Sequence, residues 1–301
     1  MPNLSETLRE LQANSQGPAD RLRQKYLKQL TRYTGRNVVV YYSGWLQKGT
    51  MRGVDFGISD VDKTGFMTCA HKVDRKRGLD LILHTPGGDV AATESIIDYL
   101  HSLYDGNIRA FVPQLAMSGG TLMALSCKEI WMGRQSSLGP VDPQIGGMPA
   151  QGILEEFKRA VTEVTQNPSS APVWAEILKK YWPTLITSCE HASSWSNELL
   201  QVYLAKCMFS GEPEQEVTEK INQVSDLLGK QATSKNHSRH INPDKAKAAG
   251  LKIKDLEDDD KLQDLMLTLH HALIISLSQT NAVKIIENDR GNTFATRAVP
   301  S

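Results

Sequence analysis

The sequence is poor in cysteine, balanced in charge and without a long apolar run, and each shortage removes a class of protein. Its four cysteines, Cys69, Cys127, Cys189 and Cys207, form neither a CxxC pair nor a cysteine–histidine metal spacing. That density is too low for a disulfide scaffold and points to reduced thiols in a cytoplasmic protein. Lys plus Arg and Asp plus Glu are equal at 34 each, so no net field draws nucleic acid or an anionic membrane. No stretch reaches the roughly 18 uninterrupted apolar residues of a membrane span, so no integral membrane segment is expected. The opening MPNLSETLRELQANSQ lacks an apolar centre and does not read as a signal peptide. Neither GxGxxG nor a phosphate-binding GxxxxGK motif occurs, and no cofactor is expected.

What remains is a soluble chain whose hydrophobic residues, 40% of 301, suffice for a substantial core. Residues 4–33 carry leucines at helical spacing, broken by Ser15-Gln16-Gly17-Pro18, and predict two amphipathic helices. RNVVVYYSGW and LDLILHT predict buried strands, the second followed by a helix from Ala91 to Tyr104. NIRAFVPQL and EIWMGR predict two more, with a helix opening at MSGGTLMALSC between them. This alternation predicts an α/β protein with a mainly parallel sheet. Past residue 150 the pattern turns helical, over Ile153–Val164, Val173–Tyr181 and Ser193–Phe209, and a last helix from Lys261 to about Ser278 ends the core. An Asn242-Pro243 start and a Gly250 stop frame one further short helix.

Two glycine-rich turns carry the chemistry. In LILHTPGGDVAATESI a buried strand stops at Gly87-Gly88 and resumes as a helix; in AMSGGT a serine, Ser118, opens the next helix. Strand ends of this kind are where open α/β sheets bind ligands, because helix N-terminal amides point outward there. Ser118 reads equally as a helix cap or as a nucleophile. A neighbouring Gly-Gly turn would supply the amides that a nucleophilic serine needs for its oxyanion.

The ordered series TPGGDV, AMSGGTLMAL and SSLGPVDPQ resembles the Clp protease and crotonase superfamily, and the resemblance covers roughly Val38 to Ile253. It is most similar to the serine dehydrogenase proteinase family, related to signal peptide peptidase A. The resemblance implies repeated β-β-α units around a mainly parallel sheet, with extra N- and C-terminal helices. It divides the chain into a helical extension (1–34), a peptidase core (35–255) and a C-terminal helix and tail (256–301). It makes Ser118 the nucleophile and places Gly87, Gly88 and Gly119 in the oxyanion hole and substrate-binding backbone. It further implies ATP-independent hydrolysis of a peptide or protein substrate by a homo-oligomer.

The general base does not transfer. Clp-type peptidases carry a histidine where this chain has Asp142-Pro143, and an aspartate where it has Ser238-Arg239-His240. Relatives of signal peptide peptidase A pair serine with a downstream lysine, and Lys158, forty positions on, matches that spacing. A lysine serves as base only when burial lowers its pKa. His237 and His240 in KNHSRHI are the alternative bases, since histidine needs less tuning. Asp258-Asp259-Asp260 reads as a solvated helix start rather than a metal site, and His270-His271 as packing or interface residues. Two other readings stay open: a catalytically weak protein of the same fold that binds peptides or a partner, and a crotonase-like acyl-thioester enzyme.

Overall fold

The apolar runs of the sequence become the centre of the molecule. The computed structural model describes residues 18–230 and 239–298. Helix α1 (Pro18–Thr34) leads into β1 (Asn37–Ser43), the helical turn α2 (Trp45–Lys48) and α3 (Asp60–Cys69). Then come β2 (Leu79–His84), α4 (Val90–Tyr104), β3 (Ile108–Val112), β4 (Leu115–Ala116), α5 (Gly119–Leu125), β5 (Ile130–Met132) and β6 (Ser137–Leu138). A hairpin of β7 (Gln144–Ile145) and β8 (Met148–Pro149) opens a helical arm. The arm comprises α6 (Ala150–Gln166), α7 (Ala171–Leu178), α8 (Leu185–Tyr203) and α9 (Glu214–Ser225). The chain returns through α10 (Pro243–Ala248), β9 (Ile253–Asp255), α11 (Asp260–Gln279), β10 (Ala282–Asn288) and β11 (Thr293–Arg297).

The main sheet has the order β11-β10-β1-β2-β3-β5-β9. Strands β1, β2, β3, β5 and β9 run parallel, and β10 and β11 add an antiparallel edge. Every residue of β1 and β2 is buried, because helices cover both faces and alternate side chains serve different cores. Val39, Tyr41, Leu81 and Leu83 pack with α4, α5 and α8 on one face. Val38, Val40, Tyr42 and Ile82 pack with α1 and α11 on the other. This is the mixed α/β, mostly parallel architecture expected from the sequence. The helix expected before Pro18 lies outside the described residues. Among the described residues no helix is long and apolar enough to cross a membrane.

One expectation is overturned. The core does not end with the last helix: residues 282–297 return as β10 and β11, and β10 pairs with β1 from Val39 to Ser43. The run AVKIIEN hides its burial behind two charges. Lys284 and Glu287 are both buried, and each is matched by a partner far away in sequence, Asp62 and Arg23 respectively. Without those partners a buried charge would be prohibitive, so composition alone argued against a central strand.

The α1/α11 face also buries histidine. The His84 ring lies 4.4 Å from Trp45 and 5.3 Å from His270, centroid to centroid, and Tyr42 Oη is 3.0 Å from His270 Nδ1. Neither His84 nitrogen has a hydrogen-bond partner among the described residues. Burial pushes His84 down to about 3 and holds His270 well below the ordinary histidine range. The unfolded chain accepts protons on these rings near pH 6.5, whereas the folded chain resists them. Stability from this cluster is therefore complete above about pH 6.5 and drains as pH falls toward 3. The urea midpoint is expected to drop between about pH 7 and 4, and to drop less steeply in His84→Leu. An identical pH slope in the two proteins would contradict the assignment.

Candidate functional site

The site is assembled where three strand ends meet. After His84 the chain runs through Thr85-Pro86-Gly87-Gly88 to Asp89, whose side chain caps α4 by accepting from Ala92 N at 2.8 Å. Residue Ile58 lies alongside: its N–H donates to Gly87 O (2.7 Å) and its carbonyl accepts from Asp89 N (2.9 Å). That ladder skips the Gly88 N–H, which makes no hydrogen bond among the described residues, and Gly88 lines a cleft. A second ladder ties Thr85 to the strand end before Ser118: Thr85 N donates to Leu115 O (3.1 Å) and Met117 N to Thr85 O (3.0 Å). Thr121 fastens the far side, donating from Oγ1 to Ala116 O and accepting from Gly139 N.

The glycines are required by these close approaches. A Cβ on Gly88 would fall 2.1 Å from Ile58 N, and one on Gly87 2.6 Å from Ser118 Cβ. A Cβ on Gly120 would fall 2.3 Å from Thr85 Cγ2. Ser118 itself has φ 49° and ψ −117°, a conformation that residues other than glycine rarely adopt. Its hydroxyl makes no cap bond to α5 although it occupies the N-cap position. The cap reading of Ser118 is thereby removed, and a strained, half-buried serine is left at the start of a helix. The Gly119 amide belongs to the uncapped first turn of that helix. Gly88 N lies 3.6 Å from where a Gly119 Cβ would be, so the two glycine-rich turns lie against each other beside Ser118.

Ser118 separates two clefts. One, about 240 Å³, is walled by Trp45, Leu46, Pro86, Leu115, Met117 and Pro140, with His240 at its edge. The other, about 370 Å³, is lined by Gly88, Asp89, Val90, Gln144, Ala192 and Trp195. Of the residues singled out from the sequence, Gly87, Gly88, Ser118 and Gly119 are thus brought together, and His240 joins them. Lys158 is exposed on α6 and lines neither cleft. On its helix Leu154 and Phe157 pack into a small satellite core, but Val161 faces solvent at 69% exposure. His237 lies outside the described residues. Asp142 is buried and lines a separate polar cavity with Ser193 and Asn197.

Sequence reading missed Ile58, Trp45 and Leu46. Trp45 reads as the end of a strand in YYSGW, and Ile58 sits in Gly53 to Gly65, which reads as a loop or short helix. The tertiary ladder gives Ile58 its place, and the cleft wall gives Trp45 its own. Among the described residues no three His, Cys, Asp or Glu are grouped so as to hold a metal ion.

Residues 56–180 match the family of ClpP-like SDH-type serine proteinases, and the resemblance read from the glycine-rich turns holds over that span. Two uncharacterized proteins of Methanocaldococcus jannaschii are similar in sequence. One is 45% identical over 87 residues, covering 29% of this chain and 30% of its own. The other is 35% identical over 123 residues, covering 41% of this chain and 42% of its own. The chain thus spans less than half the length of these relatives. Among solved structures, a mutant of the 1510-N membrane-bound stomatin-specific protease is similar at 15% identity and a TM-score of 0.40. That likeness covers 69% of this chain and 79% of that one, and is too loose to bear on function.

The backbone approach at Gly88 has a stability cost that can be measured. Gly88→Ala is expected to lose about 1–3 kcal/mol by overpacking against Ile58, read by urea unfolding. Gly152→Ala, whose new Cβ would meet only Pro149 at 3.9 Å inside a helix, should be neutral or stabilising. Equal stability of Gly88→Ala and the unsubstituted chain would show that the Ile58 ladder is not as close as described.

Proposed function

We propose that this chain is an ATP-independent serine peptidase in which Ser118 forms an acyl-enzyme. The observation that carries this reading is the uncapped, strained Ser118 hydroxyl beside the free Gly88 and Gly119 amides. A substrate carbonyl placed between the serine and those amides would develop its negative charge beside two backbone N–H donors. Oγ attacks the carbonyl carbon, a base takes the hydroxyl proton, and the leaving amine departs with a proton returned by that base. Water then repeats the sequence on the acyl-enzyme. The extended substrate backbone would lie along Gly87-Gly88, where the absence of side chains leaves room. The cleft of Trp45, Leu46, Leu115 and Met117 suits a large apolar side chain next to the scissile bond.

For the base, His240 is favoured over Lys158, because it lines the same cleft as Ser118 while Lys158 stands exposed on the arm. The lysine spacing matches the Ser-Lys relatives, so a base supplied by Lys158 would require α6 to close over the site. The two assignments separate kinetically. With His240 as base, His240→Gln loses on the order of 10²-fold or more of kcat/KM for an apolar peptide. Lys158→Met then keeps most of the activity. Ser118→Ala abolishes hydrolysis and changes stability by no more than about 1 kcal/mol. Full activity in Ser118→Ala would end the peptidase reading. Loss of activity in Lys158→Met with His240→Gln keeping most of it would transfer the base to the lysine.

A further inference from the structure

A charged pair is buried directly behind the oxyanion turn. Lys284 is 3% exposed and Asp62 is fully buried, and they meet at 2.9 Å. The same Asp62 Oδ2 accepts from Tyr41 Oη (2.9 Å) and from the backbone N–H of Ser59 (2.9 Å). Lys284 Nζ also donates to the carbonyl of Gly57 (2.8 Å) and to Ser59 Oγ (3.2 Å). One residue further back, Ser43 Oγ donates to Phe56 O at 2.7 Å. Residues 56–59 are therefore gripped from behind at three successive points.

The front of the same segment is Ile58. Its N–H and carbonyl bond to Gly87 and Asp89 on either side of Gly88, and its Cδ1 lies 3.3 Å from where a Gly119 Cβ would be. The segment thus touches both glycines that flank Ser118, and it is fixed by groups from β1, α3 and β10. A buried ion pair is a poor source of stability, since an apolar pair of similar shape usually serves as well. What it does supply is direction: Lys284 has three donors and points them at one carboxylate, one carbonyl and one hydroxyl. The Gly57 carbonyl has to be satisfied by a donor at that point.

We infer that Lys284, set by Asp62, is a positioning residue that holds residues 57–59 against Gly87-Gly88 and so aims the Gly88 amide. It acts through Ile58 and does not touch substrate. Its kinetic consequence rests on the peptidase reading; its structural consequence does not. The oxyanion donor has to be placed to a fraction of an ångström, and a displaced donor loses effect in the transition state before it affects ground-state binding.

The test uses the full chain, Lys284→Met, and the doubly neutral Lys284→Met/Asp62→Asn. The double variant guards against failure of Lys284→Met to fold with Asp62 left alone. Amide hydrogen exchange is read residue by residue, beside kcat and KM on an apolar peptide. Exchange at Ile58 and Asp89 should quicken by about tenfold or more while Leu81 and Ile82 in β2 stay protected. In the same variants kcat should fall by about tenfold or more with KM changed less than about threefold. A merely structural role would quicken exchange across β1, β2 and β10 together, and that result overturns the inference. Unchanged exchange at Ile58 and Asp89 in the folded double variant overturns it equally, as does a rise in KM at constant kcat. If the unsubstituted chain hydrolyses no peptide, the peptidase reading falls, and the exchange at Ile58 and Asp89 alone decides the positioning role.

Discussion

The site depends on three backbones approaching with nothing between them. Ile58, Gly87-Gly88 and Ser118-Gly119 lie so close that a methyl group on Gly87 or Gly88 would fall inside the next chain. Hydrogen bonds across this junction use the Ile58 and Asp89 amides and leave the Gly88 amide out. At the same junction Ser118 has a positive φ and its hydroxyl makes no cap bond to α5. The unbonded Gly88 amide and the uncapped serine thus meet at one close-packed junction.

The parallel sheet makes that junction possible. Strand β2 ends beside the turn that precedes Ser118 because β2 and β3 pair in register, Leu79 with Ile108 through Ile82 with Phe111. Helices α4 and α5 then leave from the same end of the sheet. The antiparallel strand β10 plays a different part. It brings Lys284 under the segment that brackets Gly88, over a separation of 222 residues from Asp62. Glu287, on the same strand, is matched by Arg23 of α1 at 2.7 Å. The charges of β10 therefore tie that strand to α1 and to α3.

How much of this was legible in the sequence follows from the range of each interaction. The strands VVVYY and LILH, and the glycine-rich turns after two of them, are local features, and the structure has them where the sequence puts them. Ser118 at a helix start was legible, but the choice between cap and nucleophile required its dihedral angles and its missing cap bond. Strand β10 was not legible, because the partners that make Lys284 and Glu287 buriable are long-range. Ile58 looked like loop, and its role comes entirely from the ladder with Gly87. For the base, spacing pointed to Lys158, whereas the tertiary fold carries α6 onto the arm and leaves His240 beside Ser118. A residue count fixes distance along the chain, not across a cleft.

The central claim is that Ser118 is an activated nucleophile held beside prepared amides. Incubating the chain with a fluorophosphonate, then mapping the modified peptide, addresses it most directly. The account predicts one phosphonylated residue, Ser118, with labelling that disappears in Ser118→Ala and is slowed by a peptide substrate. Absence of labelling on the folded chain, or labelling that maps to a different serine, would contradict it.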